Sequence, residues 1–312
     1  IARPRGTRAA RGAAALAALA MIGGVAGCGP PTTDDTRDSG KLSVVASTYP
    51  MQFLVEQVGG DHVSVRSLTK PGVEPHDLEL TTREIAALGD ADLAVYASGF
   101  QPAVDEAMQT NPPPHVLDVA PAADLLPISR STQGLGIDPD ELDPHFWLDP
   151  DRYGKVGATV ADQLARLDPT HQRDYAAAAA RFTQRTAALS GQLGSGLRSC
   201  RITSLVTTHA AFGYLALRNG FTQIPLALDP EAEPSTAQLA EVAEVVRARH
   251  VTTIYAEVRV DPGFAQTVAQ ASGATTSTLD PIEGITEESA ASDYFGLMAA
   301  NLATLRQGQE CP

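Results

Sequence analysis

Cysteine, tryptophan and basic residues are scarce in this chain of 312 residues. Only three Cys and one Trp are present, and 23 Lys and Arg stand against 37 Asp and Glu, a formal net charge of −14 at pH 7. Three Cys are too few for a disulfide-rich scaffold. The shortage of positive charge argues against nucleic acid as a partner, because phosphate binding requires Lys and Arg. The 43% of hydrophobic residues, over a length typical of two domains, predicts globular lobes with sizeable cores.

The first 27 residues differ from the rest in charge, since they contain four Arg and no acidic residue. The apolar run that follows, residues 13–25, is shorter than the roughly 20 residues that a membrane-spanning helix needs. This order of basic residues, a short apolar run and small residues predicts a secretory signal peptide over residues 1–27. Cys28 directly follows Val25-Ala26-Gly27, which resembles the bacterial lipobox, in which the Cys receives a lipid; the alternative is a plain signal peptide with a chance Cys.

Residues 28–40 would then be the lipidated Cys and a flexible tether, because Pro, Thr, Asp and Ser predominate there. The mature protein is expected to be exported and attached to the extracytoplasmic face of the membrane by its lipid anchor.

The two remaining cysteines, Cys200 and Cys311, are expected to form a disulfide, since leftover Cys tend to pair in an oxidising compartment. The alternative is two separate buried thiols. The bond would close a loop of about 110 residues, for which the chain-entropy description gives roughly 4–5 kcal/mol of stabilisation.

Short apolar, β-rich runs alternate with helical stretches in both halves of the chain. We predict strands at residues 42–47, 63–69, 91–98, 115–120, 202–208, 222–228, 251–258 and 274–279. We predict helices between them at residues 51–58, 82–88, 211–219, 236–248 and 262–271. This alternation predicts an α/β fold of two lobes, each a four-stranded parallel sheet flanked by helices.

A long helical stretch separates the two halves. Asp168-Pro169 favours a helix start, and Tyr175, Phe182 and Leu189 recur every seven residues as one apolar stripe. One helix over residues 169–194, about 40 Å long, would join the lobes; the alternative is two shorter helices with a break. The predicted domains are the N-terminal lobe (41–150), the linking helical segment (151–198) and the C-terminal lobe (199–312).

Three of the seven histidines and one aspartate lie where a parallel α/β lobe binds its ligand, beyond the carboxyl ends of strands. His76 lies in a Pro/Gly-rich loop after the second predicted strand, and His145 directly precedes the linking segment. His209 and Asp280 each follow a predicted strand directly. Three imidazoles and a carboxylate suit tetrahedral Zn²⁺ and disfavour Mg²⁺ or Ca²⁺. The other histidines are expected to have structural roles: His62, His115, His171 and His250.

Six motifs near these positions form a specific combination. They are Ser47-Thr48-Tyr49-Pro50, Gly72-Val73-Glu74-Pro75-His76-Asp77, Pro144-His145-Phe146-Trp147-Leu148-Asp149-Pro150, Thr208-His209-Ala210-Ala211-Phe212-Gly213-Tyr214, Tyr255-Ala256-Glu257 and Leu279-Asp280-Pro281. Over roughly residues 42–305 the chain resembles the cluster A-I, or zinc/manganese-type, metal-binding solute-binding proteins of bacterial ABC importers. Many zinc-type members carry a His-rich loop before the His145 motif, whereas residues 129–142 contain no His here.

The resemblance implies a monomeric, non-enzymatic protein that captures one Zn²⁺ and delivers it to an ABC permease for high-affinity import. The ion would lie in the cleft between two lobes joined by one long helix. His76 and His145 of the N-terminal lobe, with His209 and Asp280 of the C-terminal lobe, match the family's metal ligands. His at position 209 favours zinc, because manganese-type members tend to carry Glu there.

Glu74, Asp77 and Glu257 are candidates to orient the imidazoles from behind. The alternative is that they face solvent, and Glu257 could also be a ligand. Three alternative functions fit part of the sequence: a carrier of manganese or another divalent metal, a surface adhesin-type lipoprotein with structural zinc, and a zinc hydrolase. The last is disfavoured, because the sequence contains no His-Glu-x-x-His motif.

Overall fold

The computed structural model describes residues 40–134, 138, 140–258 and 261–312. The predicted signal peptide, Cys28 and nearly all of the predicted tether lie outside these residues. Among the described residues we find no helix with the length and apolarity that crossing a membrane requires.

Two parallel four-stranded sheets form the framework. The N-terminal sheet consists of β1 (Leu42–Ala46), β2 (Val63–Ser67), β3 (Leu93–Tyr96) and β4 (Val116–Asp118), in the order β2-β1-β3-β4. The C-terminal sheet consists of β5 (Ser204–Thr207), β6 (Thr222–Pro225), β7 (Thr253–Ala256) and β8 (Thr275–Thr278), in the order β6-β5-β7-β8. All eight predicted strands are therefore confirmed, each shorter than predicted at one or both ends.

The strand order is the same in both sheets, with the first strand of each lobe between the second and the third. In the first sheet, for example, Val44 lies opposite Val65 of β2 and Leu93 of β3. Because all neighbours are parallel, the carboxyl ends of the strands meet at one edge of each sheet, where a ligand site is expected.

Ten α-helices flank the sheets in the described part of the chain. They are α1 (Tyr49–Gly59), α2 (Thr82–Gly89), α3 (Pro102–Thr110), α4 (Ala120–Ala123), α5 (Pro150–Leu167), α6 (Gln172–Gly196), α7 (Gly213–Asn219), α8 (Thr236–Ala248), α9 (Gly263–Ser272) and α10 (Tyr294–Gly308). Thr81 and Ser235 begin α2 and α8 with capping boxes, in which the side chains of the first and fourth residues exchange hydrogen bonds with the backbone. The five helices predicted between strands are present, whereas α3, α4 and α10 were not predicted.

The long linking helix is α6, which has 25 residues and follows a 3-10 turn at Pro169–His171. It packs antiparallel against α5, and a Cβ on Gly154 of α5 would lie only 2.3 Å from Oγ1 of Thr186. The glycine therefore permits this close helix contact. The predicted apolar stripe of α6 faces the protein interior, since Tyr175, Phe182 and Leu189 are all buried.

The hydrophobic core continues from the N-terminal lobe into α10. Phe53 of α1 lies 5.9 Å, centroid to centroid, from the ring of Tyr294 in α10, and Tyr153 of α5 lies 4.8 Å from the same ring. The Tyr294 hydroxyl donates a hydrogen bond to the carbonyl oxygen of Trp147, and the Trp147 indole donates to that of Pro281. The last helix of the chain therefore fastens the C-terminal lobe to the first.

The predicted disulfide is present and joins Cys200 to Cys311, which are 111 residues apart in sequence. It connects the segment before β5 with the end of the chain after α10. The C-terminus is thereby held beside the start of the second lobe.

Candidate metal site

Four side chains converge in the cleft between the two sheets. The ligand atoms of His76, His145, His209 and Glu283 all lie within 4.8 Å of one another. His76 lies in the loop after β2, and His145 precedes the 3-10 turn Phe146–Leu148. His209 follows β5 and Glu283 follows β8. Each lobe therefore supplies two of the four groups.

Glu283 contributes the carboxylate of this group, whereas the sequence motifs predicted Asp280. Oδ1 of Asp280 accepts a hydrogen bond from the backbone N–H of Ile282 at 2.7 Å. Asn301 of α10 hydrogen-bonds both the N–H and the carbonyl of Asp280. Ile282 has φ +60°, a conformation that β-branched residues rarely adopt. The Asp280 carboxylate thus stabilises the turn that directs Glu283 toward the imidazoles, and its own role as a ligand stays a prediction.

The spacing of the four ligand atoms is that of a small coordination polyhedron. Nε2 of His76 lies 3.3 Å from Nε2 of His145 and 3.4 Å from Oε1 of Glu283. Oε1 of Glu283 lies 3.2 Å from Nε2 of His145 and 3.6 Å from Nε2 of His209. A tetrahedron with metal–ligand bonds of about 2.0–2.1 Å has edges of about 3.3–3.4 Å. The four measured distances scatter closely around that value.

Glu257 fixes both the ring and the main chain of His209. Its Oε2 lies 2.6 Å from Nδ1 of His209. Its Oε1 accepts hydrogen bonds from the His209 N–H at 3.1 Å and from the Thr208 hydroxyl at 2.6 Å. A carboxylate at Nδ1 keeps the proton on that nitrogen and turns the lone pair of Nε2 toward the cluster.

Asp143 does the same for His145. Its Oδ1 lies 2.8 Å from Nδ1 of His145 and accepts a hydrogen bond from the His145 N–H at 2.9 Å. Asp143 and His145 are both 3% exposed. The Nε2 lone pairs of His145 and His209 therefore point toward the same place as the Glu283 carboxylate, an arrangement that a cation among them would stabilise.

His76 is the most accessible member, with 13% of its side chain exposed. Its loop is tied to the N-terminal lobe by Gln101, whose Nε2 donates to the Pro75 carbonyl at 3.0 Å. Glu74 accepts a hydrogen bond from the backbone N–H of His76 at 3.3 Å. Asp77 is exposed and lines the cleft beside the cluster.

The imidazoles and carboxylates of the cluster shift one another's pKa values toward the charged forms. Burial alone would raise the pKa of Glu283, but the three imidazoles beside its carboxylate hold that pKa well below its usual range. Burial opposes protonation of His145 and His209, yet their neighbouring carboxylates prevail and raise both pKa values. The cluster thus prefers positive charge next to Glu283, whether from protons or from a metal ion.

A cleft of about 790 Å³ opens on the cluster from the side of His76 and His145. Its lining includes the carboxylates of Asp77, Asp124, Glu141 and Asp229, and the residues that the structure describes contribute no Lys or Arg to it. A cation approaching through the cleft therefore meets the N-terminal ligands first.

Comparison with known proteins assigns the chain to a family. A family model described as "Zinc-uptake complex component A periplasmic", or ZnuA, matches residues 44–308. The chain belongs to the ZnuA family. The position of the cluster at the strand ends of both lobes agrees with the resemblance drawn from the sequence motifs.

Named relatives and solved structures are similar to this chain over most of its length. The chain is 34% identical over 280 residues to the zinc-binding lipoprotein AdcA of Streptococcus pneumoniae, covering 86% of this chain and 56% of AdcA. It is 31% identical to the high-affinity zinc uptake system protein ZnuA of Bacillus subtilis, covering 90% and 92% of the two chains. The crystal structure of the Zn(II)-bound ZnuA-like domain of S. pneumoniae AdcA superposes with a TM-score of 0.72 at 32% identity, covering 87% of this chain and all of that one. The chain thus spans little more than half the length of AdcA.

Two residues of the site were missed by the sequence analysis. Asp143 and Glu283 both lie within three residues of a predicted ligand, His145 and Asp280 respectively. An acidic residue two positions before a ligand histidine was a usable signal for Asp143. No comparable signal distinguished Glu283 from Asp280, because the choice depends on the turn at Ile282.

Proposed function

We propose that this chain captures Zn²⁺ outside the cytoplasm and delivers it to an ABC permease. The observation that carries the proposal is the convergence of three imidazole nitrogens and one carboxylate oxygen at the edge lengths of a zinc-centred tetrahedron. The proposed ligands are Nε2 of His76, His145 and His209 and Oε1 of Glu283. Asp280 is the alternative source of the carboxylate.

The donor set favours zinc over manganese. Imidazole suits Zn²⁺, whereas Mn²⁺ prefers carboxylate, carbonyl and water oxygens in a six-coordinate shell. His209 supplies a third nitrogen donor, and it is fully buried and held by Glu257. A carboxylate at this position would suit Mn²⁺ better. The names of the zinc-binding relatives point the same way.

Four protein ligands favour capture rather than catalysis. A catalytic zinc site keeps one position open for water or substrate, whereas a site with four protein ligands is closed. Because both lobes contribute ligands, the bound ion holds the two lobes in one arrangement, and this arrangement is the form that a permease would recognise.

The location follows from the N-terminal sequence. We propose that the signal peptide directs export, that Cys28 carries the lipid, and that the tether holds a monomeric domain at the membrane surface beside its permease. The description of the family as periplasmic and the name of the AdcA lipoprotein support this location.

The proposal is tested with purified residues 29–312 stripped of metal by a chelator. Titration against a chromogenic chelator should give one Zn²⁺ per chain, and excess Mn²⁺ should not displace it. Cells lacking the protein should grow poorly at low zinc and recover with the wild-type chain. Absence of stoichiometric binding, or equal affinity for Mn²⁺, contradicts the proposal.

A further inference from the structure

A strap from the N-terminal half of the chain crosses to the C-terminal sheet. The strap consists of residues 126–134 and 140–143. Its two ends are paired at its base, where the Asp143 N–H donates to the Leu126 carbonyl at 2.9 Å and the Ile128 N–H donates to the Glu141 carbonyl at 2.8 Å. The other end of the strap lies along the edge strand β6. There the Gln223 N–H donates to the Ser131 carbonyl at 2.8 Å.

The side chain of Gln223 continues this connection into the metal site. It is fully buried, and its Nε2 donates to the His209 carbonyl at 2.9 Å and to the Thr207 hydroxyl oxygen at 2.8 Å. The Thr207 hydroxyl in turn donates to the same His209 carbonyl at 2.7 Å. On its other side, Oε1 of Gln223 accepts a hydrogen bond from the hydroxyl of Thr132 in the strap at 3.3 Å.

The base of the strap reaches the other half of the site. Asp143, which orients His145, lies so close to the start of α7 that a Cβ on Gly213 would be 2.4 Å from its Oδ2. The Tyr214 hydroxyl donates to the Asp143 carbonyl at 2.8 Å and accepts from the Leu126 N–H at 2.9 Å. The strap is thus connected to one proposed ligand of each lobe. Its residue Asp143 contacts His145, and its Thr132 is hydrogen-bonded to Gln223, which holds the His209 carbonyl.

We propose that Gln223 is a positioning residue of the metal site, which ties the main chain of His209 to the docked strap and so makes metal retention depend on that docking. This inference rests on the proposed function. Its physical basis is that the hydrogen bonds of a buried network strengthen one another and that a buried amide oxygen without its donor is costly, so loss of the strap contact favours rearrangement of the Gln223 side chain. Loss of the strap contact therefore loosens His209 without removing any ligand.

The test is the rate at which bound zinc is lost to an excess of chelator. Gln223→Met keeps the length of the side chain and removes its hydrogen bonds, and we expect release to become about tenfold faster or more, as for other groups that support metal ligands. With Co²⁺ as a spectroscopic probe, the visible absorption bands of the tetrahedral ion should shift, because the His209 imidazole is no longer held in one orientation.

Gln309 provides a matched control in the same lobe. It is also fully buried, its Nε2 donates to the carbonyls of Ile202 and Ser204 at 3.1 Å each, and its Oε1 accepts from the Tyr255 hydroxyl. Gln309→Met should lower the melting temperature to a similar degree while leaving zinc release and the Co²⁺ spectrum unchanged.

Thr132→Val provides a milder variant, which removes only the hydroxyl from the strap side. Zinc release should be faster than in the wild type but slower than in Gln223→Met. The double variant Thr132→Val/Gln223→Met should release zinc no faster than Gln223→Met alone, because the two groups act through one connection.

The outcomes separate the two proposals. If the wild-type chain binds neither Zn²⁺ nor Co²⁺, the proposed function fails. If the wild type binds zinc and Gln223→Met or Thr132→Val releases it at the wild-type rate, the positioning role is wrong while the function stands. Equal acceleration by Gln309→Met would likewise overturn the positioning role, since general loosening of the lobe would then explain it.

Discussion

The two lobes share one strand order and supply two metal-site groups each, but they present those groups differently. His76 and His145 of the N-terminal lobe line the open cleft. In the C-terminal lobe, His209 is 0% exposed and Glu283 is 1% exposed. The N-terminal lobe therefore offers the first contact with an arriving ion, and the C-terminal lobe completes the coordination from behind.

Both lobes nevertheless use a buried glutamine and a threonine to hold the ligand-bearing loop. Gln101 donates to the Thr69 hydroxyl oxygen and the Pro75 carbonyl, as Gln223 does to Thr207 and the His209 carbonyl. The first arrangement lies within one lobe, whereas the second is bonded to the strap. The comparison indicates that the accessible His76 is arranged for capture, whereas the buried His209 is arranged for retention.

The largest effect is expected from His209→Ala. Removing this buried ligand also leaves Glu257 without its imidazole partner, so zinc affinity should fall by more than a hundredfold, beyond the 10–100-fold typical for losing a supporting group. Isothermal titration calorimetry measures the loss. His76→Ala should weaken binding less and act mainly on the association rate, whereas His171→Ala, remote from the cluster, should match the wild type. Similar affinities for His209→Ala and His171→Ala would refute the ligand assignment.

The second effect concerns which carboxylate of the C-terminal lobe binds the ion. Glu283→Gln replaces the anionic oxygen with a neutral amide oxygen, and we expect an affinity loss of about a hundredfold. Asp280→Asn should cost about tenfold or less, because it weakens the hydrogen bond to Ile282 that supports the turn and removes none of the four proposed ligands. Competition titration of both variants ranks them. A greater loss in Asp280→Asn would identify Asp280 as the ligand instead.

The smallest effect is expected from pH. His145 and His209 must be deprotonated to bind zinc, and their raised pKa values mean that protons still compete near neutral pH. Zinc affinity should therefore continue to rise between pH 7 and pH 8, by about tenfold if one proton is displaced per ion. Titrations across this range measure the slope, and an affinity independent of pH there would contradict the proposed protonation of the metal-free cluster.

Most of the framework was predictable because buried parallel strands are short, continuous apolar runs. The strand β5 and the helix α8, with its Ser235 cap, are examples in which the local pattern suffices. The helix α10 was not predicted, because apolar residues such as Phe295 and Leu302 also lie outside its buried stripe and blur the pattern.

The histidines of the site were predictable because His145 and His209 lie at element boundaries and His76 lies in a Pro/Gly-rich loop after a strand, whereas Glu283 depends on a single backbone conformation. Ile282 adopts its positive φ under the influence of Asp280, Asn301 and the packing of α10, all of which are tertiary features. Spacing in the sequence cannot reveal which of two acidic side chains such a turn directs into a cleft.

The aromatic contacts between α1, α5 and α10 bear on how an ion can leave. Each such side chain buries roughly 150–250 Å², so exposing even one to water costs on the order of 4–6 kcal/mol. A wide, hinge-like separation of the lobes would expose Phe53, Tyr153 and Tyr294 together. We therefore expect the ion to leave by displacement of the His76 loop at the rim of the cleft, without a wide separation of the two lobes.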